Sequence, residues 1–372
     1  VTVLLTWMGS LAFAERIRNK TVWYHLMDHL EIFPYYDQEM VRLHGESAED
    51  ADVVSYVARP LSAYFRKDIQ PVYLPNGCNP DEFLNLHEGY VPADMQDMVE
   101  SGHKIIGYYG YLAEWMNYDM VRNAAQRRPD YEFVFIGKAI HDVSKIEGLP
   151  NVHLLGLKPY KELSDYAKFF DVATIPFAIN EQMDCVSPIK FYEYCALGLP
   201  VVTSYMPEVE AHACDFIACV RDTEQYLSAI DRFLSPEIRE KAKRRGPEIA
   251  RQNTWQARAA AIEAALGESR GTILRQPYRK FDVVILAVID YDFRYQRPQH
   301  FAAKFAENGH RVFYVNANHF REDSVRRIKK NLFVVDFHNA DSTAIHLTDW
   351  SEKPQELKCL FDGLLRRYCI RA

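Results

Sequence analysis

At 372 residues the chain is too long for one ordinary core and long enough for two α/β domains of typical size. Apolar residues make up 48% and charged residues 26%, which sets it apart from disordered and fibrous classes. A net charge of −7 argues against a general nucleic-acid binder, which needs a basic face to neutralise phosphates, but leaves room for a local site that takes a small anion.

Short β-branched runs alternate with helical patterns, as in parallel sheets wrapped by helices. Val1 to Thr6, Thr21 to Tyr24, Val53 to Val57 and Pro71 to Leu74 read as strands. Helical stretches such as Tyr36 to Glu49 and Leu61 to Phe65 lie between them, and Pro75-Asn76-Gly77 closes the segment as a turn. The terminal run Val1 to Ala14 is shorter than the roughly 20 residues that span a bilayer and reads as a buried strand and loop. A second series of strands is expected at Lys104 to Tyr108, Glu132 to Ile136, Val152 to Leu154, Val172 to Ile175, Val201 to Thr203 and Phe216 to Val220. With its helices this makes a doubly wound domain that closes in a helical region from Tyr226 to about Leu266. Gly267 to Gln276 reads as a polar linker. Beyond it, strand Asp282 to Ile289, helix Pro298 to Glu307 and strand Arg311 to Asn316 open a further βαβ unit. The seven cysteines are odd in number and lack a C-x-x-C pair, so reduced thiols and no structural zinc are expected.

The most informative stretch runs from Ser187 to Pro200. Ser187 suits a helix N-cap, Pro188 the first helical position and Gly198 the left-handed residue past the end. A helix amino end presents unpaired N–H groups and partial positive charge, and Lys190 in the first turn adds a full charge, a combination that favours phosphate. Lys190 and Glu193 share a face, offering a cation to a diphosphate and a carboxylate to ribose hydroxyls. The same spacing also fits a capped helix with a surface Lys–Glu pair, the commoner case. Gly107 and Gly110 follow a strand, where a missing Cβ lets the backbone approach a phosphate, or simply makes a tight turn. Trp115, Asn117 and Asp119 occupy the next loop and helix start. Glu208 either lines a pocket or caps the following helix. Asp28 and His29 end a strand in the first segment and are candidates for holding a sugar.

With Pro75-Asn76-Gly77-Cys78, Gly107-Tyr108-Tyr109-Gly110 and Asn253-Thr254-Trp255, the Ser187 helix resembles the donor site of retaining glycosyltransferases of family four. The resemblance covers Val1 to Leu266 and implies an α/β chain of the GT-B fold, two Rossmann-like doubly wound domains, with the N-terminal one incomplete in native order. It implies transfer of a sugar from a nucleoside-diphosphate sugar to an acceptor hydroxyl with retention, in envelope or polysaccharide biosynthesis. Lys190 would take the diphosphate and Glu193 the ribose, with Gly107, Gly110, Ser187 and Trp115 around the nucleotide. The family's E-x7-E pattern would put its first glutamate where this chain has Cys185, so Asp184 is the candidate replacement near the donor sugar. Lys190, Asp184, Asp28 and His29 are thus the catalytic candidates.

The family's first βαβ units should precede Val1, yet residues 281–372, including Asp290 to His300, resemble that opening half. The chain therefore reads as a fragment of a longer or tandem enzyme, or as a permuted one. The expected domains are 1–90, the second half of the acceptor-side domain; 91–266, the nucleotide-sugar domain; 267–280, a linker; and 281–372, an opening half packing with 1–90 in one composite sheet. Arg294, Arg297 and His300 then become acceptor-side candidates. The expected ligands are a UDP- or GDP-sugar donor and a glycan or lipid-linked acceptor, with no permanently bound cofactor, metal or nucleic acid. A cytoplasmic location follows, with peripheral contact at the inner membrane face left open. Three rival readings stand beside the transferase: a degenerate nucleotide-sugar-binding module, a GT-B epimerase, and a structural partner of another transferase that binds no nucleotide.

Overall fold

The computed structural model describes all residues except 16, 18, 33–36, 85–86, 88, 270–279, 294, 321–323, 339–354, 356–361, 364–365, 367, 369 and 371–372. Of the expected linker, 267–280, residues 270–279 lie outside the described residues, as does Arg294, while Gly267 to Ser269 end a helix. The chain divides into two compact units, Asn76–Thr254 and Val1–Pro75 with Trp255–Ala372.

The first segment supplies strands β1 (Thr2–Leu5), β2 (Thr21–Leu26), β3 (Val53–Tyr56) and β4 (Val72–Tyr73). The last segment supplies β11 (Asp282–Leu286), β12 (Arg311–Phe320), β13 (Ser324–Lys329) and β14 (Leu332–His338). These form one eight-stranded sheet in the order β13-β14-β12-β11-β1-β2-β3-β4. The join is an ordinary parallel pair, β1 on β11, with Thr2 opposite Val283 and Leu5 opposite Leu286. Every side chain of β1 and β2 is buried, as in a parallel sheet covered on both faces. Strand β13, antiparallel to β14, departs from the parallel pattern, and its Arg326, Arg327 and Lys329 put charge on the edge.

In the second unit β5 (Lys104–Tyr109), β6 (Tyr131–Ile136), β7 (Val152–Leu154), β8 (Val172–Ile175), β9 (Val201–Ser204) and β10 (Ile217–Val220) form a parallel sheet ordered β10-β9-β8-β5-β6-β7. The chain leaves β5 toward β6 and β7, then returns to β8 on the other side, so the switch point of the winding lies between β5 and β8. In open sheets of this kind the crevice beyond the carboxyl ends at that point is where ligands bind.

Six helices carry or pack against the residues discussed below, four in the unit of the six-stranded sheet and two in that of the eight-stranded sheet. They are α1 (Tyr118–Arg127), α2 (Ile189–Ala196), α3 (Thr223–Phe233), α4 (Pro236–Gln252), α5 (Trp255–Ser269) and α6 (Arg297–Glu307). The helical region expected from Tyr226 onward is thus three helices. The stretch Leu61 to Phe65, expected as helix, is a 3₁₀ segment, Arg59–Tyr64. The sequence boundaries at 90 and 266 differ from the contact division. Helix α5 lies with the eight-stranded sheet, because Trp255 stacks on His300 at 4.4 Å and Asn308 donates to Glu263 at 2.7 Å. Conversely, residues after Pro75 lie with the six-stranded sheet, where the Cys78 N–H donates to the Asn253 carbonyl at 3.0 Å.

Gly198 ends α2 at φ +68, and Leu199 N–H reaches back to the Tyr194 carbonyl at 3.1 Å. A Cβ on Gly198 would stand 2.7 Å from the Lys243 Cα. This one glycine therefore closes α2 and admits α4 against it.

Candidate functional site

Residues 190, 193 and 194 are three and four apart, so their side chains leave α2 on one face. That face meets the end of β5. The Tyr109 hydroxyl donates to Glu193 Oε2 at 2.8 Å, and the Tyr109 N–H donates to the Tyr194 hydroxyl at 3.0 Å. One turn earlier, Lys190 extends beside Gly110. A Cβ there would lie 3.0 Å from Lys190 Cε and 3.2 Å from Nζ. The ammonium stands 5.1 Å from the ring centres of both Tyr108 and Phe177, within range of a cation–π attraction. Helix α2 is therefore clamped to the switch point by Glu193 and Tyr194, and the clamp sets where the lysine goes.

Two glycines build the floor beneath it. Gly110 has φ +137 and donates to the Ile136 carbonyl at 2.8 Å. Gly137, just past β6, has φ +153, and a Cβ on it would lie 1.9 Å from the Gly110 carbonyl oxygen. The two loops can approach so closely only because both residues lack a side chain. Gly137, and the exposed Lys138 after it, are missed by the sequence reasoning, although a glycine directly after a strand is the same signal that marks Gly110.

Several expectations change in detail. Ser187 does not cap the helix: the cap is Pro188, and Ser187 Oγ instead accepts from the Asn76 N–H at 3.1 Å. Gly107 lies inside β5 rather than after it, and its missing Cβ makes room for the Phe170 ring, 2.3 Å from where the Cβ would be. Glu193 is no surface partner of Lys190. It is 3% exposed, and its other oxygen accepts from the Tyr160 hydroxyl at 2.6 Å. Glu208 is buried within the first turn of Pro207–Glu210, whose cap is Met206. Asn117 caps α1 by accepting from the Met120 N–H at 3.0 Å, and Asp119 pairs with Lys145.

Trp115 is half-buried against the core, and its carbonyl accepts from the Ala178 N–H at 2.7 Å. That bond joins it to the neighbour of Phe177, whose ring faces Lys190. Asp184 is half-buried at the end of the short helix Glu181–Asp184, next to buried Cys185. Asp28 and His29 belong to the other unit, in the loop past the carboxyl end of β2. Asp28 is exposed, and His29 Nδ1 lies 3.3 Å from the Tyr64 hydroxyl. In that unit Arg297 and His300 are buried rather than facing solvent. Arg297 donates to His25 Nε2 at 2.6 Å, and burial pushes the His300 imidazole down to about 3.

Burial pushes the Glu193 carboxyl above its ordinary range, while hydrogen bonds from Tyr160 and Tyr109 and the charge of Lys190 pull the other way. An acid raised on folding contributes stability fully below its unfolded value of about 4.5 and loses it as pH rises through the higher folded value. The unfolding free energy of the wild type should therefore fall relative to that of Glu193→Gln as pH is raised from 4.5 to 8. Urea denaturation at stepped pH measures this, and a constant difference would contradict it.

Among the described residues no group of three His, Cys, Asp or Glu is placed to hold a metal ion, and no helix is long and apolar enough to cross a membrane.

Residues 103–236, which carry this constellation, match the model of glycosyl transferases group 1. A stretch of 158 residues is 25% identical to TuaH of Bacillus subtilis, named as a teichuronic acid biosynthesis glycosyltransferase. It covers 41% of this chain and 40% of TuaH, so the match spans well under half of that relative. Among solved structures, Anabaena HepE in complex with UDP is similar with a TM-score of 0.56 at 15% identity, over 70% of this chain and 76% of HepE. Sucrose-phosphate synthase from Thermosynechococcus elongatus gives 0.58 at 18% identity, over 73% and 74%. These likenesses show the fold: two Rossmann-like parallel-sheet units of the GT-B type.

Proposed function

We propose that the chain is a glycosyltransferase that moves a sugar from a nucleoside-diphosphate sugar, with UDP as the first candidate nucleotide, to an acceptor hydroxyl with retention of configuration. The observation that carries this reading is the Lys190 ammonium beside Gly110 at the β5/β8 switch point, on a helix whose amino end points positive charge the same way. The match to glycosyl transferases group 1 over residues 103–236 and the UDP held by HepE support it.

In the reaction the bond from the anomeric carbon to the diphosphate oxygen breaks and a bond to the acceptor oxygen forms, while the acceptor proton leaves with the diphosphate. Negative charge grows on the departing group. Lys190 and the first turn of α2 are preorganised to meet it, and such stabilisation acts without reorganisation at the moment of reaction. A carboxylate has about four lone-pair sites, and the two tyrosines use two at Glu193, so we assign the remainder to the ribose hydroxyls. Trp115 and Ser187 are assigned supporting places around the nucleotide, Gly110 the close backbone approach, and Gly107 the packing that holds β5. Asp184, Asp28 and His29 are assigned to the sugars. The eight-stranded unit is the proposed acceptor side, in envelope or polysaccharide synthesis, as the name of TuaH suggests.

Buried Cys185, where the family pattern has a glutamate, favours one second reading: a module that binds nucleotide sugar without turnover. Incubation with UDP-glucose, UDP-N-acetylglucosamine, UDP-glucuronate and GDP-mannose in the presence of maltotriose, cellotriose and chitotriose as acceptors, followed by nucleotide release and NMR of the product anomer, separates the readings. Release from one donor with the anomeric configuration kept is expected. Binding without release supports the module, and an interconverted sugar still attached to its nucleotide would make the protein an epimerase.

A further inference from the structure

Large aromatic side chains that stay largely exposed forgo part of the gain of burial, and the loop from β11 to α6 carries two of them. Phe293 is 66% and Tyr295 40% exposed. The described residues on either side of position 294 are tied down. The Tyr291 N–H donates to Asn316 Oδ1 at 2.7 Å, and Asn316 in turn donates to Asp336 at 2.6 Å inside the sheet. The Tyr314 hydroxyl donates to the Ile289 carbonyl at 2.9 Å, and Gln299 reaches the carbonyls of Asp290 and Tyr291, each at 3.3 Å. The Tyr295 ring stands edge-on to His300 at 4.6 Å, and His300 is stacked on Trp255 in the core. Buried polar and aromatic groups thus tie Tyr291 and Tyr295 to the sheet and core, and the loop follows the carboxyl end of a parallel strand, the side on which such sheets take ligands.

We infer that Phe293 and Tyr295 form a stacking platform for a pyranose ring of the acceptor, which makes the acceptor a glycan recognised through its sugar rather than through a lipid. The inference rests on the transferase reading above. A sugar ring offers an apolar C–H face to an aromatic side chain and hydroxyls at its rim, and this surface matches both. Exposed Asp292, paired with Arg326 at 2.6 Å, lies next to Phe293 and supplies hydroxyl partners. A lipid chain or a protein interface would instead call for a contiguous apolar patch, whereas here carboxylates and a guanidinium break the apolar surface up. The contact of Tyr295 with His300 matters as well, since a ring already held in place loses little freedom when a sugar settles on it.

Saturation-transfer NMR of the full chain with maltotriose, cellotriose and chitotriose, in the presence of UDP, tests this. The wild type should pass saturation to the ring C–H protons of at least one trisaccharide. The double variant F293A/Y295A should bind that sugar at least tenfold more weakly, with its circular dichroism and UDP titration unchanged, and Phe293→Trp should keep the binding. Equal binding by the double variant, or no trisaccharide bound by folded protein that binds UDP, overturns the platform and leaves the transferase reading standing. Platform-dependent sugar binding by a chain that ignores UDP supports the platform and removes the transferase reading.

Discussion

Replacing Lys190 by Ala should lower kcat/KM for the donor sugar on the order of a hundredfold or more while the protein stays folded. The helix that carries the lysine is anchored by other groups. It is held to β5 through Glu193 and Tyr194, and it is closed by Gly198. The loss should therefore fall on the charge that meets the diphosphate, and it should appear in kcat as well as KM, because the negative charge is larger on the departing diphosphate than in the bound donor. Lys190→Arg should recover little. The ammonium occupies a gap bounded by the Tyr108 and Phe177 rings and by Gly110, and a planar guanidinium is wider and oriented differently. Steady-state kinetics with the donor found by product analysis, together with a denaturation curve, checks both halves. Activity within a few-fold of wild type would remove Lys190 from the chemistry.

Gly137→Ala should act through a different route and cost stability and binding together. The added methyl would lie 1.9 Å from the Gly110 carbonyl oxygen, a contact that no side-chain rotation relieves because the backbone fixes the Cβ position and the atom it meets is itself backbone. The residue also sits at φ +153, where L side chains are strained. Strain and overpacking together suggest a loss of about 4 kcal/mol. The expected result is a clear drop in the urea midpoint and no measurable UDP binding even where the protein is still folded, since the floor under Lys190 would have moved. A variant with wild-type stability would show that the two loops part more readily than their geometry implies.

Strand positions were legible because the strands of a parallel sheet are written as short runs rich in apolar and β-branched residues between turn signals. Val172–Ile175 and Val152–Leu154 coincide with their sequence ranges. The lysine on α2 was legible for a similar reason, since a proline start and a glycine stop mark a short helix locally. What could not be read were the partners supplied from afar. Ser187 has the composition of a cap, yet Asn76, 111 residues away, takes its hydroxyl. Glu193 has the spacing of a surface ion pair, but Tyr109 from the end of β5 and Tyr160 from the segment after β7 converge on it and bury it. Gly107 and Gly110 look alike in sequence, and only the fold puts Phe170 over one and Lys190 beside the other. Arg297 and His300 carry the residue types of a ligand loop, yet they are buried, Arg297 against His25 and His300 against Trp255.

If the donor site is where these residues place it, a nucleoside diphosphate sits on the loops around Gly110 and Gly137 against the amino end of α2. Calorimetric titration of the purified chain with UDP, followed by hydrogen exchange with and without the nucleotide, tests this most directly. Saturable heat is expected, with slowed exchange at the amides of residues 109–112, 137–138 and 189–191. Absence of heat from folded protein, or protection that falls elsewhere while these loops exchange as before, would contradict it.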